Sequence, residues 1–411
     1  MTLAAIRYLL GGIVYAGAQF VIVVLLNKFG SPQSVGQYAL GLAITAPVFM
    51  LSHLHLRSVL VVDASGRYPF GQFIGLRLLT TAAAFAVTLG IVLLGGFAAE
   101  AGFAVLLIGL YRIIESISDI LLGLAQKNER LDTITVSRTA KGLSSVLLFA
   151  LAFIPTRSLT LALLAVVAGW LCILIGYDAR KARAFEPLKP EFGLSRLLPL
   201  LKASSPLGVV LALLSLNANI PLYAIAHFEG EHALGLYSSL AYLIIACNVI
   251  VTGLGEAVTP RLARHHAEGS RAEFVRLLGR LSALGAALSA AGCLIGWAFG
   301  AELLALLYNG EVARETRLLL WLLGSTPLIF VSSMLWYGIT ATRTFVAQIP
   351  LFLCTAGCNA LVCLLLVPLY GLTGAAAGAI AALVTQTAGS VFVLSRALGS
   401  RKKQVQREAA A

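Results

Sequence analysis

Arg112, Glu115 and Asp119 sit inside an otherwise apolar stretch that runs from Phe103 to Ala125. Spacings of three and four put the three ionisable groups on one face of a helix. At about 1.5 Å per residue, a helix of ~20 residues crosses the hydrocarbon core of a bilayer. Each of these groups would cost roughly 2.5–3.5 kcal/mol facing lipid, so they belong in a bundle interior or a wet cavity. Two chemistries fit. Arg112 is a cation for an anionic substrate head group, with Glu115 or Asp119 as a protonatable or ion-binding coupling site. Alternatively the charges are structural, Arg112 pairing with Glu115 and Asp119 with Lys141 of the next span.

Further candidates surround this group. Arg7, Arg77 and Lys202 are expected near the cytoplasmic edge of their spans. There they either snorkel to the interface or form a basic funnel suited to a diphosphate, which the planar fork of arginine binds well. Asn217 and Asn219, beside Pro221, offer amides for sugar hydroxyls near the outer end of the seventh span, or serve packing alone. His227 to His232 lacks the spacing of a zinc helix and reads as a solvated loop, so no metal site is expected. No catalytic residue is assigned.

The elements that must position these groups are helices. Of 411 residues, 59% are hydrophobic and 12% charged, outside ordinary soluble composition. Apolar runs of about 20 residues mark twelve spans, near 4–26, 37–56, 73–97, 103–125, 134–154, 159–177, 199–225, 234–256, 276–299, 316–339, 346–368 and 373–394. The 30 Lys and Arg then fall 25 on one side and 4 on the other (Lys28, Arg157, Arg314 and Arg317), with Arg112 between. That bias puts both termini in the cytoplasm. The net charge of +12 is thus a topology signal, scattered over short loops with no compact basic domain for nucleic acid. Six cysteines, all within spans and without zinc-type spacing, read as small packing residues.

The charged, proline-containing segment from Asp178 to Arg196 divides the spans six and six. The expected organisation is a six-helix bundle over 1–178, a cytoplasmic linker over 179–197, a second bundle over 198–395 and a basic tail over 396–411. An even number of spans per half gives the halves the same orientation, so a pseudo-two-fold axis along the membrane normal should relate the two bundles. Pro47, Pro206, Pro327 and Pro350 suggest bent spans. The longest external loop, near Gly300 to Glu315, is too short for the domain that a membrane glycosyltransferase, polymerase or ligase needs.

Several segments together resemble the polysaccharide-transport family of lipid-linked oligosaccharide flippases (the Wzx type). That family lies within the multidrug/oligosaccharidyl-lipid/polysaccharide exporter superfamily. The segments include Leu54-His55-Leu56-Arg57-Ser58-Val59, Ser118-Asp119-Ile120 and Asn219-Ile220-Pro221-Leu222-Tyr223. Leu234-Gly235-Leu236-Tyr237, Pro260-Arg261-Leu262-Ala263, Thr340-Ala341-Thr342-Arg343 and Pro368-Leu369-Tyr370-Gly371-Leu372-Thr373-Gly374 come next in chain order. Relatives often carry a basic residue where this chain has Leu222. The resemblance implies a non-enzymatic protein of the bacterial cytoplasmic membrane that moves a polyprenyl-diphosphate-linked oligosaccharide to the outer leaflet. It implies two rocking bundles, a central cationic cavity and an ion gradient, H+ or Na+, with no bound cofactor. Membrane lipids and polysaccharide polymerase or export machinery are the implied partners. The rivals are a small-molecule antiporter of the same superfamily, a membrane enzyme of glycan assembly, and a non-transport component of a glycan-assembly complex.

Overall fold

The computed structural model describes residues 3–63, 66–342, 344 and 347–410. Arg343 lies outside them, as do the side chains of Cys247 and of the tail beyond Gly399. The described residues are helical with short connections and no strand. In chain order the helices are α1 (Leu3–Phe29), α2 (Pro32–His53), α3 (Leu56–Val62), α4 (Phe70–Leu94), α5 (Ala99–Lys127), α6 (Leu131–Thr156) and α7 (Leu159–Ile173). They continue as α8 (Ala179–Arg183), α9 (Leu194–Phe228), α10 (Gly230–Ala267), α11 (Arg271–Leu307), α12 (Thr316–Ala341), α13 (Gln348–Tyr370) and α14 (Leu372–Ala410). Each of the twelve expected spans falls on one long helix. Ten stretches among the described residues are long and apolar enough to cross a membrane. The two long helices outside that set are α5, which carries the buried charges, and α10, which includes undescribed side chains at 246–252.

Local chemistry explains the boundaries. Ser31 caps α2, its hydroxyl accepting from the Ser34 amide at 3.2 Å, and Pro32 stands at the first helical position. The chain leaves α2 through Leu54 and His55, both left-handed at φ 48° and 54°. For non-glycine residues this costs on the order of 1 kcal/mol or more each. The reversal starts α3 and sets Arg57 on its first turn. Pro350 lies in the first turn of α13, where a missing amide costs nothing, so it does not bend a span. The clear break is in α11, at Phe299 (φ −128°, ψ 17°). The loop expected from Gly300 is therefore helical through Leu307, with a 3-10 turn after it over Val312–Arg314.

The chain forms two compact units, Met1–Ser215 and Leu216–Ala411, and the division falls inside α9. In the first unit α5 is central, packed by α2, α4 and α7, while α1 lies along α6. Small residues permit that close approach: a methyl on Gly11 would come 3.1 Å from Thr135, and one on Gly142 would come 3.1 Å from Tyr15. The opposite face of α6 exposes Leu143, Leu147 and Leu151, by 59–64%, as a lipid-facing stripe. In the second unit Phe274, Met334 and Ile339 form the core between α11, α12 and α14. Asn359 of α13 donates to the Asn217 carbonyl at 2.8 Å and to its side-chain oxygen at 3.0 Å. Pro221 has no amide hydrogen to offer that carbonyl, so Asn359 fills the gap.

The segment after α8 lies against the start of α4. The Glu191 amide donates to the Gly71 carbonyl at 2.9 Å. A Cβ on Gly75 would collide with the Glu191 carbonyl. Gly75→Val is therefore expected to lower the thermal unfolding temperature in detergent by several degrees, as overpacking costs about 1–3 kcal/mol. Gly90→Ala, in the same helix with open space around it, should be neutral or stabilising.

Candidate functional site

A cavity of about 260 Å³ opens in the first unit beside α5. Its wall carries Glu115, Ser118 and Asp119 of α5, Arg57 of α3, and Arg138 and Lys141 of α6. Tyr15 of α1 and Trp170 of α7 complete one side. Periodicity explains the grouping. Residues 115, 118 and 119 share the inward face of α5, and 138 and 141 are one turn apart on α6.

Each carboxylate is held by named donors. Glu115 accepts from Arg112 at 2.7 Å and from the Tyr15 hydroxyl at 3.0 Å. Asp119 lies between two guanidinium groups, Arg57 at 2.9 Å and Arg77 at 3.4 Å. Arg57 also donates to Gln126 from Nε and Nη2, at 3.0 and 2.8 Å. Gly123 makes room for it, since a Cβ there would touch the Arg57 chain at 3.0 Å. Arg138 stacks over the Tyr8 ring at 5.2 Å and has no carboxylate partner among the described residues.

Some sequence expectations change. Arg112 does pair with Glu115, but Asp119 does not pair with Lys141. Lys141 instead binds Asp178 at 2.6 Å. Arg77 does not snorkel: at 1% exposure it points inward to Asp119 and Ser116, because the start of α4 is covered by neighbouring chain. Asp178, expected to open the cytoplasmic linker, is buried. The cause is a π-helical turn over Leu174–Asp178, in which the Ala179 amide reaches the Leu174 carbonyl. One inserted residue rotates the next part of the helix by about 100° and carries Asp178 inward.

Arg112 reaches the cavity only through Glu115, and its buried Nε has no partner. Arg7, near the start of α1, and Lys202, on α9, are both exposed. Neither is in an ion pair among the described residues. Asn217 and Asn219 belong to the second unit and are not part of this cavity. His232 meets Glu311 at 2.9 Å at the surface of that unit. Sequence reasoning misses Arg57, Arg138 and Asp178 as wall or wall-supporting residues. It gives Arg57 and Arg138 a role in topology alone, although Arg138 and Lys141 at i,i+3 with Gly142 and Ser145 mark an inward polar face on α6.

A multi-pass, all-helical membrane protein with paired charges around a cavity in its first bundle has the architecture of a membrane transporter. The polysaccharide biosynthesis protein family model matches residues 4–266, and the chain belongs to that family. It is 26% identical over 369 residues to the capsular polysaccharide biosynthesis protein CapF of Staphylococcus aureus, covering 89% of this chain and 91% of that one. Its fold matches the lipid II flippase MurJ, in an inward closed conformation, with a TM-score of 0.76. That match has 10% identity and covers 98% of this chain and 90% of MurJ. It also matches an inward-facing multidrug resistance MATE family transporter of the MOP superfamily, at TM-score 0.72 and 12% identity over 98% and 99% of the chains.

The shared carboxylate makes the Arg57–Asp119–Arg77 group asymmetric. Asp119→Leu leaves Arg77 buried without a counter-charge and is expected to destabilise by about 3–5 kcal/mol. Arg77→Met leaves Asp119 with Arg57 and should cost less, and the double variant should recover part of the loss. Chemical unfolding in detergent measures all three. Arg130→Met, which breaks an exposed pair with Asp132, should change nothing measurable.

Proposed function

We propose that the protein flips a polyprenyl-diphosphate-linked oligosaccharide, a polysaccharide precursor, across the bacterial cytoplasmic membrane by ion-coupled alternating access, with both termini in the cytoplasm. The observation that carries this reading is the charge balance of the first-unit cavity. Arg57, Arg77, Arg112, Arg138 and Lys141 supply five cations against the three carboxylates Glu115, Asp119 and Asp178. An excess of two positive charges inside an apolar shell favours an anionic ligand. Small-molecule sites usually occupy about 300–1,000 Å³. At about 260 Å³ this cavity suits a charged head group and not a whole lipid-linked sugar. Membership of a polysaccharide biosynthesis family and a fold shared with a lipid II flippase support the same substrate class.

The residues take distinct parts. Arg138, stacked on the Tyr8 ring and without a carboxylate partner among the described residues, meets the diphosphate first. Arg112 stands behind Glu115 as the deeper cation, its Nε unpartnered. Arg7 and Lys202 gather it at the entrance. A carboxylate at the cavity resets the bundles when protonated or cation-bound, Glu115 and Asp119 being the candidates expected from the sequence. In the second unit, Asn217 and Asn219 are the amides suited to sugar hydroxyls.

The test tracks radiolabelled polyprenyl-diphosphate oligosaccharide in vesicles with and without the protein, under an imposed ion gradient. Outer-leaflet accumulation that requires the protein is expected. Arg138→Ala should slow it about 10–100-fold, the worth of one charge-assisted hydrogen bond of roughly 1.5–3 kcal/mol. An unchanged leaflet distribution, together with altered drug susceptibility on deletion, would favour the antiporter reading suggested by the MATE-like fold.

A further inference from the structure

The pair on the far wall of the cavity differs in kind from the other two charged groups. Lys141 and Asp178 are 4% and 0% exposed, and their ion pair is 2.6 Å long. Ser118 bridges them: its hydroxyl donates to Asp178 Oδ2 and accepts from Lys141 Nζ. Lys141 and Ser118 line the cavity, while Asp178 stands behind them. Asp178 Oδ1 is buried with no hydrogen-bond partner, and no second cation pairs with this carboxylate among the described residues.

We infer that Lys141 and Asp178 form a proton-coupling pair that an incoming diphosphate opens. The Lys141 ammonium turns to the phosphate oxygens at the cavity wall, and Asp178 takes one proton from solvent. One O–H bond forms on the carboxylate and no covalent bond of the ligand breaks. Anion entry and proton uptake thereby become one event. This rests on the flippase reading and adds the coupling ion and the group that carries it.

The neighbouring charged groups argue for this division. Tyr15, Arg57, Glu115, Asp119 and Arg138 face the same cavity. Glu115 and Asp119 are each held by arginine, which keeps its proton under all ordinary conditions. Protonating either one strands a guanidinium in the bundle, Arg77 at 1% exposure being the extreme case. Lys141 has a flexible stem and a single point charge, so it can change partner. The stranded carboxylate is then neutralised by a proton, the usual outcome for a buried unpaired charge. Trp170, with Lys141 Nζ 5.5 Å from its ring, gives the ammonium a surface to move along.

The experiment is calorimetric titration of the full-length protein in detergent with farnesyl diphosphate, in buffers of different ionisation enthalpy. Uptake of about one proton per diphosphate bound is expected for the wild type. Asp178→Asn should bind without proton uptake. If it does not fold, Lys141→Met with Asp178→Asn replaces both charges at once and should also bind without uptake, more weakly. The wild type decides independently, since a protonated-carboxyl band should appear in the infrared difference spectrum when the diphosphate is added. Binding with no proton uptake and no such band overturns the coupling role and leaves the flippase reading standing. Uptake that persists in Asp178→Asn also overturns it. No binding of the diphosphate overturns both.

Discussion

Charge placed in an apolar bundle has to be matched inside the bundle, and α5 carries three charges on one face. That constraint organises the first unit. Arg57 needs the left-handed break at Leu54 and His55 to reach Asp119, and Gly123 to leave space for its chain. Arg77 comes in from α4, and Tyr15 from α1 closes over Glu115. Three different helices thus each bring a polar partner to the inward face of α5. The fold around α5 is thus a solution to desolvation as much as to packing.

The solution is not uniform, and the differences give the site its chemistry. Arginine keeps its proton, so Glu115 and Asp119 each keep a charged partner. Lys141 is a point charge on a long stem, and Asp178 has only that one cation partner among the described residues. On the proposed reading, a cavity wall built from two arginine-held carboxylates, the Lys141–Asp178 pair and Arg138 admits an anion without dismantling the bundle. A wall of arginine pairs alone would have to break a buried salt bridge for each anion admitted.

Much of this arrangement is legible in the sequence. Twelve spans emerge from runs of apolar residues, and the inward face of α5 from spacings of three and four. The Arg112–Glu115 pair is local and needs only helical geometry. The other partners are not legible, for a physical reason. Which cation meets Asp119 depends on the reversal at Leu54 and His55, a backbone state that propensity does not forecast for these residues. Asp178 is hidden by a one-residue insertion, which a period of 3.6 assigns to the wrong face. Phe299 likewise breaks α11 without a proline or glycine at the break itself, so the helical turn to Leu307 reads as loop.

These differences share a source, and it bears on topology. Arg57, Arg77, Arg138 and Lys141 count among the markers of the cytoplasmic side, yet they belong to the cavity wall or bind it directly. Removing these four from the 25 leaves 21 against 4, so the bias still points the same way. All four lie in the half of their helices assigned to that side. The charge that orients a span and the charge that lines the cavity come from the same stretch of helix, differing only in whether the residue faces outward or toward α5. A basic entrance, as proposed, would follow from the same residue distribution that predicts the orientation. The carboxylates of α5 decide which of those cations stay committed and which remain available to an anion.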